Sequence, residues 1–501
     1  MSSERGPMTA SRTSPDVTVS ISFTGSASEE EAIRPVFRHP ELADHSYRQQ
    51  IGEVKRLLEL IYLDPSLRPE LERDPLAFAR AHDLTIDAEE LRPLWQKGLP
   101  EPSRLVDDSQ LPLAVRRYRA WTLEKLEFRA EIAAMSMSHN PRMRAWRARQ
   151  FNRCLSELGP SKDASIVHVP VAFELCSGCS VGCWFCGVGA DKLSQKAEYA
   201  GTRTLWKEIL LATKDVIGEG ARWGFCYWAT EPLDNPDYEE FCTDFADVFG
   251  RFPQTTTAIP LRDAERTRKL LRLSVEKGCE LNRFSILSAK IVDQLHAAFT
   301  PEELLRVELL PLNKESGNPK ARAGHALTRR APQGHALSEE GRASTIACVS
   351  GFLINLVERR LRLITPCGAN DRWPLGYWEL DDVIFRDAEH LRQEMARMIE
   401  QHMHARLDLD QAVSFRPDVH FVQDEQRAIL SSPWTQIPLD HPKGLAGVAE
   451  HVARNAGQSA ADIALELERE GAPLANTIYL LQQLFQWGLF DEEPVRRSVY
   501  G

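Results

Sequence analysis

The 501-residue sequence has no apolar run that approaches the ~18 residues a membrane-spanning helix requires. Its polar start, Met1 to Gly6, lacks the apolar segment of a secretory signal peptide. A net charge of −11 offers no basic surface of the kind that binds nucleic acid. We therefore expect a cytoplasmic protein that has neither a membrane nor a nucleic acid as its partner.

Outside one short segment, the cysteines are not arranged in metal-binding pairs. None of these cysteines forms a C-x2-C or C-x5-C pair, and none follows Cys367, so we expect no metal cluster outside that segment. The role expected of most of them is that of a small buried hydrophobic residue. This group consists of Cys154, Cys226, Cys242, Cys279 and Cys348.

Four of the ten cysteines lie in the segment Cys176-Ser-Gly-Cys179-Ser-Val-Gly-Cys183-Trp-Phe-Cys186. The C-x3-C-x2-C spacing of the last three lets one loop supply three thiolates to a [4Fe–4S] cluster, which leaves the fourth iron open. A zinc site normally has two C-x2-C pairs separated by a longer spacer than the three residues found here. The sequence thus predicts Cys179, Cys183 and Cys186 as cluster ligands. A compact zinc loop or buried cysteines are the alternative.

Apolar strands alternate with helical stretches through the middle of the chain. This alternation predicts parallel β/α units, whose chemistry is found at the carboxyl ends of the strands. The predicted strands cover 166–175, 223–229, 255–259, 281–288, 305–310 and 361–365. The predicted helices lie at about 205–211, 263–277 and 342–359.

The cysteine motif resembles the signature of the radical S-adenosylmethionine (SAM) superfamily. The resemblance implies an α/β fold, a partial (β/α)6 TIM-like barrel with the cluster loop after its first strand. It also implies SAM as a cofactor and an electron donor of the flavodoxin or ferredoxin type. In that superfamily SAM is split into methionine and a 5′-deoxyadenosyl radical, which removes hydrogen from C–H bonds. Phe185, the aromatic residue before the last cysteine of the motif, is implied as a cofactor contact.

Two later segments match the same superfamily. Thr230-Glu231-Pro-Leu-Asp-Asn-Pro resembles the element whose glycines and glutamate contact the SAM amino group, although Ala229 and Thr230 replace the two glycines. The strand at 281–288 resembles the one whose arginine and serine approach the SAM carboxylate and ribose. The resemblance therefore implies Thr230, Glu231, Arg283 and Ser285 as cofactor-binding residues, and an ordinary strand end is the alternative for the last two.

The segment from Thr365 to Tyr377, with the letters TPC followed by RWPLGY, narrows the function. Together with the cysteine motif it resembles the radical SAM peptide epimerases of proteusin-type ribosomal peptides, which convert L- to D-residues in a precursor peptide. Such an enzyme returns hydrogen to Cα from the face opposite the abstraction, and a thiol can donate that hydrogen. We expect Cys367 to be this donor, exposed at a loop start at the barrel mouth. An ordinary loop cysteine is the alternative.

Other functions remain open at this point. A different radical SAM modification of a peptide, such as crosslink or thioether formation, would use the same cysteine motif. A non-enzymatic metal-binding adaptor would bind iron or zinc without cleaving SAM.

The regions that flank the predicted barrel differ in composition. We expect disorder over residues 1–35, a helical domain over 36–160, the barrel over 161–400 and a winged-helix-like domain over 401–501. In the helical domain, helices are predicted over 50–63, 70–82 and 113–135. In the last domain, strands are predicted over 412–422 and 428–432 and helices at about 445–455, 459–470 and 474–487. The last domain resembles leader-peptide recognition domains, which implies a ribosomal precursor peptide with its leader as a partner. A purely structural domain fits equally well. The polar segment 313–340 is either a lid over a peptide channel or a surface excursion.

Overall fold

The structure is a computed structural model, and it describes residues 33–96, 110–279, 281–339, 343–423, 427–439 and 444–494. The predicted disordered N-terminus lies, up to residue 32, outside these residues. Within the described ranges, no helix has both the length and the apolar character needed to cross a membrane.

Helices precede, alternate with and follow the strands. The helices are α1 (His45–Leu63), α2 (Arg68–Arg73), α3 (Pro75–Ala81), α4 (Arg92–Trp95), α5 (Leu113–Met135), α6 (Pro141–Leu158), α7 (Pro160–Asp163), α8 (Tyr199–Ile217), α9 (Tyr238–Phe249), α10 (Ala264–Glu276), α11 (Ala289–Ala298), α12 (His325–Thr328), α13 (Ala388–His402), α14 (Leu445–Arg454), α15 (Ala460–Arg469) and α16 (Leu474–Gln486). The strands are β1 (Val169–Glu174), β2 (Cys176–Ser177), β3 (Gln195–Lys196), β4 (Thr256–Thr257), β5 (Asn282–Ile286), β6 (Val307–Pro311), β7 (Val349–Asn355), β8 (Arg360–Pro366), β9 (Tyr377–Ile384), β10 (His420–Gln423), β11 (Ala428–Ser431) and β12 (Gln436–Leu439).

A four-stranded sheet in the order β1-β7-β8-β9 carries the segments of greatest interest. Strand β1 confirms the first predicted strand and pairs in parallel with β7. The helix predicted over 342–359 is wrong, because β7 lies within it. All seven residues of β7 are buried. A short apolar run without alternation is compatible with a strand covered on both faces as well as with a buried helix, and here the covered strand forms.

The strand predicted at 361–365 exists as β8, but its predicted parallel direction is wrong. It is antiparallel to β7, with Asn355 opposite Arg360 and Gly351 opposite Ile364. The carboxyl end of β8 therefore lies beside the amino end of β7. In a parallel sheet the two carboxyl ends would share one edge.

A second sheet contains β4, β5 and β6, all parallel, as predicted. Along β5 the side chains alternate: Phe284 and Ile286 are buried among the N-terminal helices, whereas Arg283 and Ser285 lie on the opposite face. The predicted strand at 223–229 is reduced to a single parallel bridge between Ala172 of β1 and Phe225. The partial barrel remains a prediction.

The N-terminal helices and the second sheet share one apolar core, which includes Val54, Leu57, Val115, Phe284, Ile286 and Val307. The helices predicted over 50–63 and 113–135 are confirmed by α1 and α5. The single helix predicted over 70–82 is instead α2 followed by α3. The Asp74 side chain accepts a 2.9 Å hydrogen bond from the Ala77 amide and Pro75 begins α3, so a new helix starts there.

The C-terminal region has its own apolar core, formed by residues between Leu407 and Phe490. Its three predicted helices are confirmed by α14, α15 and α16, and Ser459 caps α15 by accepting a 3.0 Å hydrogen bond from the Asp462 amide. Strands β10, β11 and β12 form an antiparallel sheet. The third of these strands was missed by the sequence reasoning. The domain boundaries and the leader-binding role remain predictions.

Candidate cofactor and thiol sites

The cysteine loop, residues 175–192, leaves the carboxyl end of β1 and folds back on itself. Cys176 pairs with Lys196 between β2 and β3, and the Cys179 amide donates a 2.9 Å hydrogen bond to the Asp191 carbonyl. Gly178 between them has φ +85°, and a Cβ there would lie 2.3 Å from the Lys192 carbonyl oxygen. Only glycine fits this turn without displacing backbone.

The four thiols of the cysteine loop are not equivalent. Cys176 is 1% exposed, whereas Cys179, Cys183 and Cys186 are all partly exposed. Burial, followed by the charges of Cys186 and Cys179, raises the pKa of Cys183 to about 12. The three partly exposed thiols therefore lie within electrostatic reach of one another. A metal bound there would have to displace their protons.

This donor set is consistent with a cluster held by three cysteines. In the part of the chain that the structure describes, no group of three or more His, Cys, Asp or Glu side chains is close enough to hold one metal ion. A [4Fe–4S] cluster does not require several side chains around one ion, since each cysteine binds a different iron atom. Cys179, Cys183 and Cys186 are the residues that would hold it.

Asp234 and Asn235, which follow Glu231 in the chain, hold the cysteine loop in place. Neither residue was assigned a role from the sequence. The buried Asp234 carboxylate accepts 2.8 and 2.6 Å hydrogen bonds from the amide and hydroxyl of Ser180, and Arg262 binds it at 2.8 Å. The Asn235 side-chain amide donates to the carbonyls of Leu175 (3.1 Å) and Ala197 (3.0 Å). The segment predicted to contact SAM thus also fixes the loop that carries the cysteines.

Glu231 is 3% exposed and its carboxylate is anchored at the end of β4. It accepts hydrogen bonds from the Thr257 hydroxyl (2.6 Å), the Ala258 amide (2.8 Å) and the Leu233 amide (3.1 Å). Burial raises the pKa of Glu231. Burial also raises the pKa of Cys179, and the charge of Glu231 raises it further. Glu231 therefore lies near the thiols. A carboxylate accepts about four hydrogen bonds, so capacity for one more donor remains.

Arg283 and Ser285 project from the same face of β5, as their alternate positions require. The Arg283 guanidinium lies 3.1 Å from Glu308 of β6. Burial raises the pKa of Cys348 to about 12 and the charge of Arg283 opposes that rise, so Cys348 lies near this face. Thr230 is half-buried beside Glu231. The SAM role of Arg283 and Ser285 remains a prediction.

Cys367 is 1% exposed, so its predicted exposure at a loop start is wrong. The predicted position at the mouth end of a parallel strand is also wrong, because β8 is antiparallel. Its amide donates a 3.0 Å hydrogen bond to the Gly376 carbonyl, and its side chain packs with Trp373 and Trp378. Burial, followed by the charge of Glu157, raises the pKa of the Cys367 thiol well above its usual value. The proton therefore stays on the sulfur.

Helix α6 fixes the backbone on both sides of Cys367. Arg153 donates to the Pro366 carbonyl, and the Glu157 carboxylate accepts a 2.5 Å hydrogen bond from the Gly368 amide. Arg153 and Glu157 also pair with each other at 2.5 Å, four residues apart on the helix. The sequence reasoning missed both residues, since their partners lie more than 200 positions away.

The segment 313–339 contacts both the cysteine loop and the loop that begins at Cys367, and its role as a lid stays a prediction. His325 donates its amide to the Cys186 carbonyl (2.9 Å), and Gly324 donates its amide to the Pro374 carbonyl (2.7 Å). Gly324 has φ +54°, and a Cβ there would lie 2.4 Å from the Cys186 carbonyl oxygen. Pro374 belongs to the loop 367–376 that begins at Cys367. The cysteine loop and the Cys367 loop are therefore joined through Gly324.

The C-terminal region also holds the Cys367 loop. The Trp373 indole donates a 2.7 Å hydrogen bond to Glu493, which pairs with Arg372 at 2.9 Å. The adjacent Glu492 pairs with Arg149 of α6 at 2.7 Å. The residues after α16 thus connect the C-terminal core to the region around Cys367.

Comparison with known proteins shows the family of the chain but not its activity. No protein-family model matches the chain, and no solved structure matches it. The chain is 36% identical over 457 residues to the uncharacterized protein y4wI of Sinorhizobium fredii (strain NBRC 101917 / NGR234), an alignment that covers 89% of this chain and 88% of that protein. The chain therefore belongs to the same family as y4wI of Sinorhizobium fredii.

Proposed function

We propose that the protein is a radical SAM epimerase that converts L- to D-residues in a ribosomally made precursor peptide. The observation that carries the proposal is the set of three partly exposed thiols, Cys179, Cys183 and Cys186, on one loop after β1. When bound there, a [4Fe–4S] cluster and SAM supply a 5′-deoxyadenosyl radical that removes hydrogen from a peptide Cα.

The chain's own residues would prepare this step by holding the loop and binding the cofactor. Asp234 and Asn235 fix the loop through Ser180, Leu175 and Ala197. Glu231 retains capacity for one more donor, such as the SAM amino group. Arg283 and Ser285 offer a guanidinium and a hydroxyl from one face of β5.

Cys367 is the proposed donor of the returning hydrogen. A hydrogen atom passes from its sulfur to the Cα radical, so an S–H bond breaks and a C–H bond forms. The resulting sulfur radical takes up one electron from the electron donor and one proton from solvent. A protonated thiol is the form this step needs, and the raised pKa of Cys367 maintains it. The loop that begins at Cys367 contacts the segment 313–339 through Pro374, and that segment contacts the cysteine loop, which supports the assignment.

The precursor's leader is the proposed partner of the C-terminal region. Extended peptides bind by adding a strand to an exposed sheet edge. Strands β10 and β12 are the outer strands of the three-stranded C-terminal sheet. The C-terminal region reaches the Cys367 loop through Glu493, which accepts a hydrogen bond from Trp373.

The test is anaerobic reconstitution with iron and sulfide, followed by two measurements. The first is formation of 5′-deoxyadenosine from SAM with a chemical reductant. The second is coexpression in D2O with a precursor peptide encoded beside the gene, followed by chiral amino-acid analysis. We expect D-residues that each carry one deuterium at Cα. A product that has lost two hydrogens, as in a crosslink, would contradict the epimerase, and absence of SAM cleavage would contradict the superfamily assignment.

A further inference from the structure

Several polar side chains beside the cysteine loop have unused hydrogen-bonding capacity. Lys320 is 4% exposed, and its ammonium donates one 2.8 Å hydrogen bond, to the carbonyl of Asn318. An ammonium has three donors, so two remain unused. Among the described residues, no acidic side chain pairs with Lys320. The side-chain nitrogen of Asn318 and Nδ1 of His335 are also buried without a partner.

A ring of contacts connects Lys320 to His335 through Phe185 and Trp184, and Asn318 joins it through its hydrogen bond with Lys320. The Lys320 ammonium lies 5.6 Å from the centre of the Phe185 ring, which packs edge-on against Trp184 at 5.4 Å. The Trp184 ring packs against His335 at 5.2 Å. Backbone hydrogen bonds between Lys320 and residues 336 and 338, both 2.8 Å, close the ring. Phe185 directly precedes Cys186, so the site borders the cysteine loop.

A buried ammonium without a counter-charge is unfavourable, and so is each buried polar atom without a partner. Such groups persist where a ligand satisfies them. A carboxylate has two oxygens that accept about four hydrogen bonds. The unused donors of Lys320, the Asn318 amide and the His335 ring nitrogen, when it carries its proton, meet that requirement.

We propose that Asn318, Lys320 and His335 form a carboxylate-binding subsite beside Phe185. The carboxylate is either that of the methionine part of SAM or that of an acidic residue in the substrate peptide. The identification of the carboxylate with SAM or with the peptide rests on the proposed function. The binding of a free carboxylate at this site is independent of it.

The first experiment measures thermal unfolding of the full chain in sodium glutarate and in sodium chloride of equal ionic strength. Glutarate should raise the midpoint of the wild type by about 1–2 °C over chloride, because a ligand that binds only the folded state stabilises it. Lys320→Met should abolish this difference. In chloride alone the variant should unfold at the same temperature or higher, since it removes a buried charge that lacks a partner. Lys269→Met, an exposed lysine on α10, is the matched control and should behave as the wild type.

The second experiment identifies the source by calorimetric titration of the reconstituted chain with SAM and with decarboxylated SAM. If the subsite binds the SAM carboxylate, the wild type should prefer SAM by about tenfold or more, and Lys320→Met should lose most of that preference. If the preference persists while the glutarate effect is lost, the carboxylate is the peptide's.

Two results would overturn the proposal. One is a glutarate effect that is absent in the wild type or undiminished in Lys320→Met, which would mean that no carboxylate binds at this lysine. The other is a lower unfolding temperature of Lys320→Met in chloride, which would make the lysine a structural residue. If the chain takes up no cluster, the proposed function is refuted. The glutarate experiment still tests the subsite in that case, because it needs no cluster.

Discussion

The cysteine loop and the Cys367 loop carry the two groups that the proposed reaction needs, but they are stabilised differently. The cysteine loop is held mostly by nearby chain: by its own return through Asp191 and by Asp234 and Asn235 some 50 residues later. The Cys367 loop is held by Arg153 and Glu157 of α6 and by Glu493 near the end of the described chain. The first loop leaves three thiols partly exposed, whereas the second buries its thiol.

This difference matches the chemistry proposed for each loop. Thiols that bind iron must be reachable and must lose their protons. A thiol that donates a hydrogen atom must keep its proton and must be shielded from oxidation and metal. Burial and the Glu157 carboxylate provide this for Cys367.

The largest effect is expected from Cys183→Ala. It removes one of the three partly exposed thiols of the cysteine loop, so iron content and SAM cleavage should both fall to near zero. Cys176→Ala is the matched control in the same loop. Because Cys176 is buried against the β2–β3 pair, that variant should keep its iron and its SAM cleavage. Equal loss in both variants would show that the ligand set includes Cys176.

A smaller effect is expected from Asp234→Asn, which weakens the attachment of the cysteine loop. The loss of a buried charged acceptor of hydrogen bonds from Ser180 and Arg262 should cost about 2–3 kcal/mol of unfolding free energy. Iron content after reconstitution should fall to an intermediate level. Asp387→Asn changes an aspartate that caps α13 through the His390 amide, and it should keep full iron content. Unfolding by denaturant and iron analysis are the measurements.

On the other loop, Glu157→Gln should lower the pKa of the Cys367 thiol, because it removes a negative charge that raises it. The thiolate fraction at a given pH then increases. The pH profile of Cys367 alkylation, followed by mass spectrometry of the modified peptide, should shift to lower pH. Glu208→Gln, an exposed glutamate on α8, should leave the profile unchanged. A shift to higher pH would contradict the placement of Glu157 beside the thiol.

The smallest effect is expected from Glu493→Ala, which removes the partner of Trp373 and Arg372. The loss in unfolding free energy should be about 1 kcal/mol, since Arg372 is well exposed. Cys367 should be alkylated several-fold faster because its loop opens more often. Glu468→Ala, on the exposed surface of α15, is the control. An unchanged alkylation rate would show that the C-terminal region does not restrain the loop.

The difference between the two loops, one held by nearby chain and the other by distant residues, also explains which features could be predicted from the sequence. The cysteine loop was predictable as a unit, since its glycines, its cysteine spacing and Glu231 form local patterns. The strands β1, β5 and β6 and the helices α14 to α16 were also predictable, because their periodicity and caps are local. The leader partner, the cofactors and the enzymatic activity stay predictions.

The surroundings of Cys367 were not predictable in this way. The direction of β8 depends on pairing with β7, whose apolar run gives no periodicity to distinguish strand from helix. The burial of Cys367 depends on α6 and on Trp373 and Trp378. No local pattern in the sequence indicates contacts with a helix that lies about 200 residues earlier in the chain. The unused polar groups around Lys320 likewise become visible only once the segment 313–339 is seen against Phe185.

The most direct test of the account is the fate of hydrogen in Cys367→Ala. The variant, reconstituted and supplied with precursor peptide in D2O, should still form 5′-deoxyadenosine but should yield little or no D-residue and no deuterium at Cα. Cys242→Ala, a buried cysteine of the central core, should epimerise as the wild type does, with one deuterium at each inverted centre. Full epimerisation by Cys367→Ala, or its loss in Cys348→Ala instead, would contradict the assignment of Cys367 as the donor.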